Sequence, residues 1–310
     1  MVQRVHSMTN VADDADDEDI ESPLGASGSM WVPLAAGKFR ERRFYLGPDA
    51  FGDPGDGLEA PTDLVDRQHW AHLMNLPTDV VLQTTDHFGS TFRAMGSLSH
   101  MWISAIKPPQ SLDPAKLPLV FDAYLDVYDE FEAGPFLAAH GWYRQGTSGL
   151  RNALESMAHA AAFSVRGDRD GYADWRSGAV DAPKFGNTLD LIASSPLVAG
   201  IESSMTTGSL FGPRPSGVLR RLYQVICHFA HGDPGHTNAD FWEGSNGPIF
   251  NPEAFTQFWR EFRDTFLACC ILLKIAHPGT ERPVDLMKVA EYAGAPWAGL
   301  APAAVDAYFP

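Results

Sequence analysis

Cysteine is scarce in this chain, and its cysteines form no pattern. Cys227, Cys269 and Cys270 are the three cysteines among 310 residues, and all lie in apolar stretches. Cys269 and Cys270 are adjacent, so on a helix their side chains point in different directions. Because no Cys-x-x-Cys pair occurs, a cysteine-rich zinc site is not expected. The sequence predicts buried, reduced thiols rather than a disulfide framework.

Basic residues are in the minority. The chain has 23 Lys and Arg against 39 Asp and Glu, which gives a formal net charge of −16. Residues 13–21 alone hold seven of the acidic side chains. This balance disfavours broad binding to nucleic acid or to an anionic membrane surface, although a small local basic site is compatible with it.

Long apolar runs and standard cofactor motifs are also missing. The longest apolar run is Phe266–Leu273, far shorter than the ~20 residues that span a bilayer. The first twenty residues contain no apolar core of signal-peptide length. No phosphate-loop, dinucleotide-binding or nucleophile-elbow motif occurs. We therefore expect a cytoplasmic protein with no membrane association and no cofactor.

Composition divides the chain into four parts. Residues 1–30 are acidic and rich in Ser and Gly, which predicts a disordered tail. Residues 31–62 combine a basic cluster with Pro, Gly and Asp and predict an irregular segment. Residues 63–300 predict a helical domain, and residues 301–310 a C-terminal tail.

Apolar residues at three- and four-residue spacing predict an all-α fold, an antiparallel helical bundle. Asn251 followed by Pro252 is typical of a helix start, and Gly167 of a helix end. No pair of β-like segments joined by a hairpin signal is visible. The expected helices are 63–75, 78–106, 118–132, 135–166, 184–194, 216–231 and 252–276.

Two of these helices carry a polar stripe beside an apolar face. On 216–231 the stripe contains Arg221, Gln224, His228 and His231, with Arg221 and His228 two turns apart on one side. On 135–166 it contains Arg144, Ser148, Arg151, Glu155 and His159, and Arg151 can pair with Glu155 at i,i+4. One interpretation is two solvated, salt-bridged faces.

The other interpretation is that both stripes converge on one pocket. Arginine neutralises phosphate with fixed, bidentate donors. Histidine titrates near neutral pH and can move a proton at a ribose 2′-hydroxyl. Such a pocket suits cleavage of a phosphodiester without a metal ion.

Three stretches resemble the HEPN superfamily of helical proteins. The segment LYQVICHFAHG follows Arg221 and gives an Arg-x6-His spacing that ends at His228. The segments GWYRQGTSGLRNALE (141–155) and WEGSNGPIFNPEAF (242–255) are similar to bacterial HEPN-like proteins. The resemblance covers roughly residues 118–277.

The resemblance implies a small helical bundle that acts as a metal-independent ribonuclease, in toxin–antitoxin or other defence systems. By it, Arg221 would bind the scissile phosphate and His228 would act as acid and base. The residues that would bind the substrate are Arg144, Arg151, Glu155, Gln224 and His231. RNA, an antitoxin or other protein partner, and a second copy of the chain in a homodimer are the implied partners.

Two alternatives stay open. Leu222 stands where active HEPN proteins usually carry a polar residue, and together with the negative charge it favours an inactive bundle that binds a partner or ligand. Separately, His228, His231, Asp233 and His236 could begin a metal site, although their spacing matches no standard zinc motif.

Overall fold

The structure of the protein is a computed structural model, and it divides the chain into two compact units, Met1–Asn75 and Leu76–Pro310. The residues it describes are 28–33, 39–44, 67–106, 117–206, 208–213, 216–230, 250–297 and 299–310.

The first unit contains a β-hairpin that the sequence analysis did not predict. Strand β1 (Gly28–Pro33) pairs antiparallel with β2 (Phe39–Phe44), so that Gly28 lies opposite Phe44 and Pro33 opposite Phe39. The expectations of disorder up to residue 30 and of irregular chain after it are wrong at these strands. A strand rich in arginine departs from the apolar alternation that usually marks one, which explains the error.

The second unit is helical, and its described residues form no strand. The all-α prediction is therefore confirmed for this unit. Among the described helices, none is both long and apolar enough to cross a membrane. The helices of the chain are α1 (Arg67–Ile103), α2 (Phe121–Ala139), α3 (Tyr143–Arg166), α4 (Arg169–Arg176), α5 (Phe185–Ala193), α6 (Pro196–Ser204), α7 (Val218–Ala230), α8 (Pro252–Ala276), α9 (Leu286–Glu291) and α10 (Leu300–Tyr308).

Two helix boundaries predicted from proline are wrong. Pro77 lies inside α1, which instead departs from helical geometry at Phe88. Pro135 lies inside α2 and cannot donate to the carbonyl of residue 131. The Ser99 hydroxyl on α1 donates to that Phe131 carbonyl at 3.3 Å. This hydrogen bond replaces the one that the backbone of residue 135 would otherwise donate.

Other helix ends follow the predicted capping. The Asn251 side chain accepts hydrogen bonds from the backbone N–H groups of Glu253 and Ala254, both at 3.0 Å. Gly167 ends α3 in the left-handed conformation, with φ of 65°. Residues 301–310 were expected as a tail, but most of them belong to α10, whose Ala304 and Val305 are buried.

Helix α8 lies at the centre of the core. Its aromatic residues Phe255, Phe258, Phe262 and Phe266 are buried, as the helical spacing predicts. Helices α2 and α3 approach closely beside Phe258. A Cβ placed on Gly146 would lie 2.8 Å from the carbonyl oxygen of Gly134, so only glycine fits this crossing.

The end of α1 is fixed to α2 by two reciprocal hydrogen bonds. The Trp102 indole donates to the Tyr124 carbonyl at 2.9 Å, and the Tyr124 hydroxyl donates to the Trp102 carbonyl at 3.0 Å. The Trp102 side chain is fully buried. This contact sets the position of the last turns of α1 against the start of α2.

Candidate functional sites

Helices α3 and α7 enclose a polar cluster of Arg151, Glu155 and Tyr223. Arg151 Nη2 lies 3.0 Å from Glu155 Oε1, which confirms the predicted i,i+4 pair. The same nitrogen donates to the Tyr223 hydroxyl at 3.3 Å, and that hydroxyl donates to Glu155. The Tyr223 ring stacks on Phe185 with centroids 3.9 Å apart. The cluster joins α7 to α3 and α5.

Burial and charge act together in this cluster. Burial and the adjacent Glu155 carboxylate raise the pKa of the Tyr223 hydroxyl. Burial disfavours the charged form of Arg151, but its hydrogen bond to the Tyr223 hydroxyl and the carboxylate of Glu155 outweigh burial and raise the arginine pKa. The guanidinium therefore stays charged and already holds its counterion inside the protein.

His159 lies one turn beyond Glu155 and is buried. Its Nδ1 is 3.0 Å from the Thr188 hydroxyl on α5, and its ring is 5.1 Å from that of Trp175. Burial lowers its pKa against the opposing effect of Glu155, so the imidazole is held neutral near pH 7. These contacts place His159 in the packing between α3, α4 and α5.

Arg221 lies on another side of α7. Arg221 and Tyr223 are two residues apart, which on a helix separates their side chains by about 200°. Arg221 Nη2 donates to the carbonyl of Pro296 at 2.8 Å, while Tyr223 contacts α3. Arg221 and Arg151 were predicted to line one pocket, but their hydrogen bonds join them to different parts of the fold.

The remaining predicted residues have different surroundings. His228 and Arg144 are half-buried, and both have interaction partners. Gln224 is exposed. His231 lies outside the described residues, as do Asp233 and His236 of the alternative metal site. Within the described ranges, no three His, Cys, Asp or Glu side chains are grouped to hold a metal ion.

The structure shows a second candidate site, which the sequence analysis did not identify. An open groove of about 1370 Å³ lies between the last turns of α1, the start of α2 and the segment 277–285. Arg93 and His100 project from α1 into its lining, and His277 and Arg282 line it from the segment 277–285. We call this feature the α1 groove.

The basic groups of the α1 groove differ in their partners. Arg93 and His100 are exposed, and neither side chain has an ion-pair or hydrogen-bond partner among the described residues. Arg282 lies 3.6 Å from Asp306. The acidic lining residues, Glu281 and Asp285, are both on the segment 277–285, and Lys288 donates to Asp285 at 2.7 Å. Within the described part of the chain, the wall formed by α1 thus carries the positive charge of Arg93 with no carboxylate paired to it.

A sequence signal for this wall exists. Arg93 and His100 are seven residues apart, the same Arg-x6-His spacing as Arg221 and His228. The prediction concerned Arg221 and His228 alone, because these two residues share a polar stripe and their flanking residues resemble HEPN proteins. Spacing alone does not indicate which pair meets a cavity, since that depends on how the helices pack.

Comparison with known proteins gives no relative for this chain: no family model, no curated protein and no solved structure matches it.

Proposed function

We propose that the protein is a helical binding module that takes a small phosphate-bearing ligand in the α1 groove. The observation that carries the proposal is the pairing of Arg93 and His100 on one wall of a groove of about 1370 Å³. Both side chains are exposed and without a described partner, so a ligand anion would meet them without first displacing a carboxylate.

The chemistry of the wall supports an anion. An arginine fork donates two parallel hydrogen bonds to a phosphate, and an imidazole two turns along the same face adds a donor. The Ser97 and Ser104 hydroxyls line the same wall and donate to the carbonyls of Arg93 and His100, at 2.8 and 2.9 Å. Ser97 thus keeps the wall polar between the two basic groups, and Ser104 adds a polar group just beyond His100.

The proposal is tested by calorimetric titration of the full chain with ribose 5-phosphate. We expect saturable binding that Arg93→Ala weakens at least tenfold, which corresponds to about 1.4 kcal/mol. Arg93→Lys keeps the charge but not the planar fork, so its affinity for ribose 5-phosphate should lie between those of the wild type and Arg93→Ala. Arg166→Ala removes an exposed arginine at the end of α3, outside the groove lining, and serves as the matched control.

The absence of binding by the wild-type chain would overturn the proposal. Equal affinity of wild type and Arg93→Ala would overturn it as well, because the phosphate would then lie elsewhere. Circular dichroism of each variant checks that the helices are intact.

The second candidate is the metal-independent ribonuclease that the HEPN resemblance implies, with Arg221 and His228 as the reacting pair. The observation that favours it is that the Arg221 Nε is buried and has no acceptor in the described part of the chain. A buried donor without an acceptor has an unmet hydrogen bond, which a phosphate oxygen bound at that nitrogen would satisfy.

Expression toxicity and total-RNA integrity test this candidate, with wild type compared against His228→Ala. Growth arrest and RNA cleavage by the wild type alone would support it. Equal growth with intact RNA in both would reject it and leave the binding module.

A further inference from the structure

We infer that the ligand of the α1 groove is a free mononucleotide, with its phosphate on the Arg93–His100 wall and its base on the apolar end of the groove. The inference rests on the proposed function, since it names the ligand class of that same site. It adds a place for the base, formed by the apolar lining residues, to the place for the phosphate.

The groove changes character along its length. Arg93, Ser97 and His100 line it in the direction of the α1 N-terminus, whereas Ile106 and Phe121 line it where α1 ends and α2 begins. Arg93 and Ile103, the last residue of α1, are ten residues apart, which is about 15 Å of helix at 1.5 Å per residue, and Ile106 follows the helix end. The groove therefore has a polar end and an apolar end that one ligand could bridge.

The lining also contains apolar side chains that are not fully buried. Val284 lines the groove and is 95% exposed, although it is a large apolar residue. Phe121 and Met101 line it as well, and both are half-buried side chains that pack in part against the core. Aromatic and thioether groups provide a surface against which a planar base can stack. Together with the basic wall, these groups match a phosphate joined to a flat ring.

Size and charge favour a single nucleotide over a nucleic-acid strand. Small-ligand pockets measure about 300–1,000 Å³, so the α1 groove has room for one nucleotide and some water. A chain with a formal net charge of −16 repels an extended polyanion outside the short stretch where Arg93 and His100 lie.

The experiment compares four compounds by calorimetric titration of the full chain. The compounds are AMP, ribose 5-phosphate, adenosine and a 5′-phosphorylated tetra-adenylate RNA. We expect AMP to bind at least tenfold tighter than ribose 5-phosphate or adenosine, because each of those lacks one half of the ligand. The RNA should bind no tighter than AMP.

Variants separate the two halves of the site. Val284→Ser should lower the affinity for AMP at least threefold and leave the affinity for ribose 5-phosphate unchanged. Arg93→Ala should lower both affinities. Val284 is so exposed that its replacement leaves the core intact. Val180→Ser replaces another exposed valine, outside the groove, and is the matched control.

The outcomes distinguish the inference from the proposed function. Equal affinity for AMP and ribose 5-phosphate would overturn the nucleotide while leaving phosphate binding in place. Tighter binding of the tetra-adenylate than of AMP would overturn the free mononucleotide in favour of an RNA end. If no compound binds, both fail together.

Discussion

Two Arg-x6-His pairs in this protein have the same spacing and opposite surroundings. On α7, Arg221 donates to the carbonyl of Pro296, and the opposite side of the helix contacts α3 through the Arg151–Glu155–Tyr223 cluster. On α1, Arg93 and His100 are exposed on the wall of the α1 groove. Helical spacing puts two side chains on one face, but packing decides whether that face meets protein or solvent.

The two regions also differ in what their polar groups contribute to the free energy of folding. The side chains of Arg151, Glu155, Tyr223 and Glu261 inside the bundle are hydrogen-bonded to other protein groups and contribute to folding. Polar groups on the α1 groove contribute little to folding and are available to a ligand. Substitutions of the first kind should therefore change the free energy of unfolding, and substitutions of the second kind should change binding.

The largest expected effect concerns Glu261, which is buried on α8 between Thr147 and Gln257. Thr147 donates to one carboxyl oxygen at 3.2 Å and Gln257 to the other at 3.0 Å. Burial raises the pKa of Glu261 to about 7, from an ordinary value of 4.5. The folded state thus favours the protonated carboxyl, and the native state loses stability as the pH rises from 4.5 to 7.

Glu261→Gln should remove this loss. The variant should gain about 3 kcal/mol in free energy of unfolding relative to wild type between pH 4 and pH 8, measured by urea denaturation across that range. Asp264, whose pKa burial raises to about 6, is present in both chains, but its charge also raises the pKa of Glu261, so the difference between the chains includes the coupling of the two carboxyls. A stability difference that does not change with pH would contradict the buried, protonated state of Glu261.

The next effect is that of Arg221→Ala. This change removes the hydrogen bond to Pro296 and should cost about 2 kcal/mol, because the bond involves a charged, half-buried donor. Gln224→Ala, on the same helix and exposed, should stay within about 0.5 kcal/mol. Urea denaturation at pH 7 gives both values, and equal stability of the two variants would mean that the Pro296 contact contributes nothing.

A smaller effect is expected for Tyr223→Phe. The substitution keeps the ring that stacks on Phe185 and deletes the hydroxyl that joins Arg151 to Glu155. The free energy of unfolding should fall by about 1 kcal/mol. The double variant with Glu155→Gln reports on coupling, and strictly additive effects would show that the three groups do not act as one cluster.

The sequence predicts some parts of this fold because their causes are local. The Asn251 cap, the start of α8 at Pro252, the left-handed Gly167 and the aromatic face of α8 depend on residues a few positions apart. In α2, which continues through Pro135, the carbonyl of Phe131 accepts a hydrogen bond from Ser99, thirty-six residues before the proline. A prediction from neighbouring residues could not include this contact.

The candidate site was harder to predict for the same reason. The Arg151–Glu155 pair is local and is present as expected. The partner of Arg221 is a backbone carbonyl seventy-five residues away, and the α1 groove needs α1, α2 and the segment 277–285 together. The sequence could supply the Arg-x6-His spacing twice, but only the fold distinguishes the pair that packs from the pair that is open.

The most direct test of this account measures stability and AMP binding on the same two variants, Arg93→Ala and Arg221→Ala. We predict that Arg93→Ala weakens AMP at least tenfold and keeps wild-type stability within about 0.5 kcal/mol, because Arg93 is exposed and has no described partner. Arg221→Ala should lose about 2 kcal/mol of stability and bind AMP like the wild type. The reverse result, with AMP binding lost on Arg221→Ala and retained on Arg93→Ala, would place the ligand site on α7 and contradict the account.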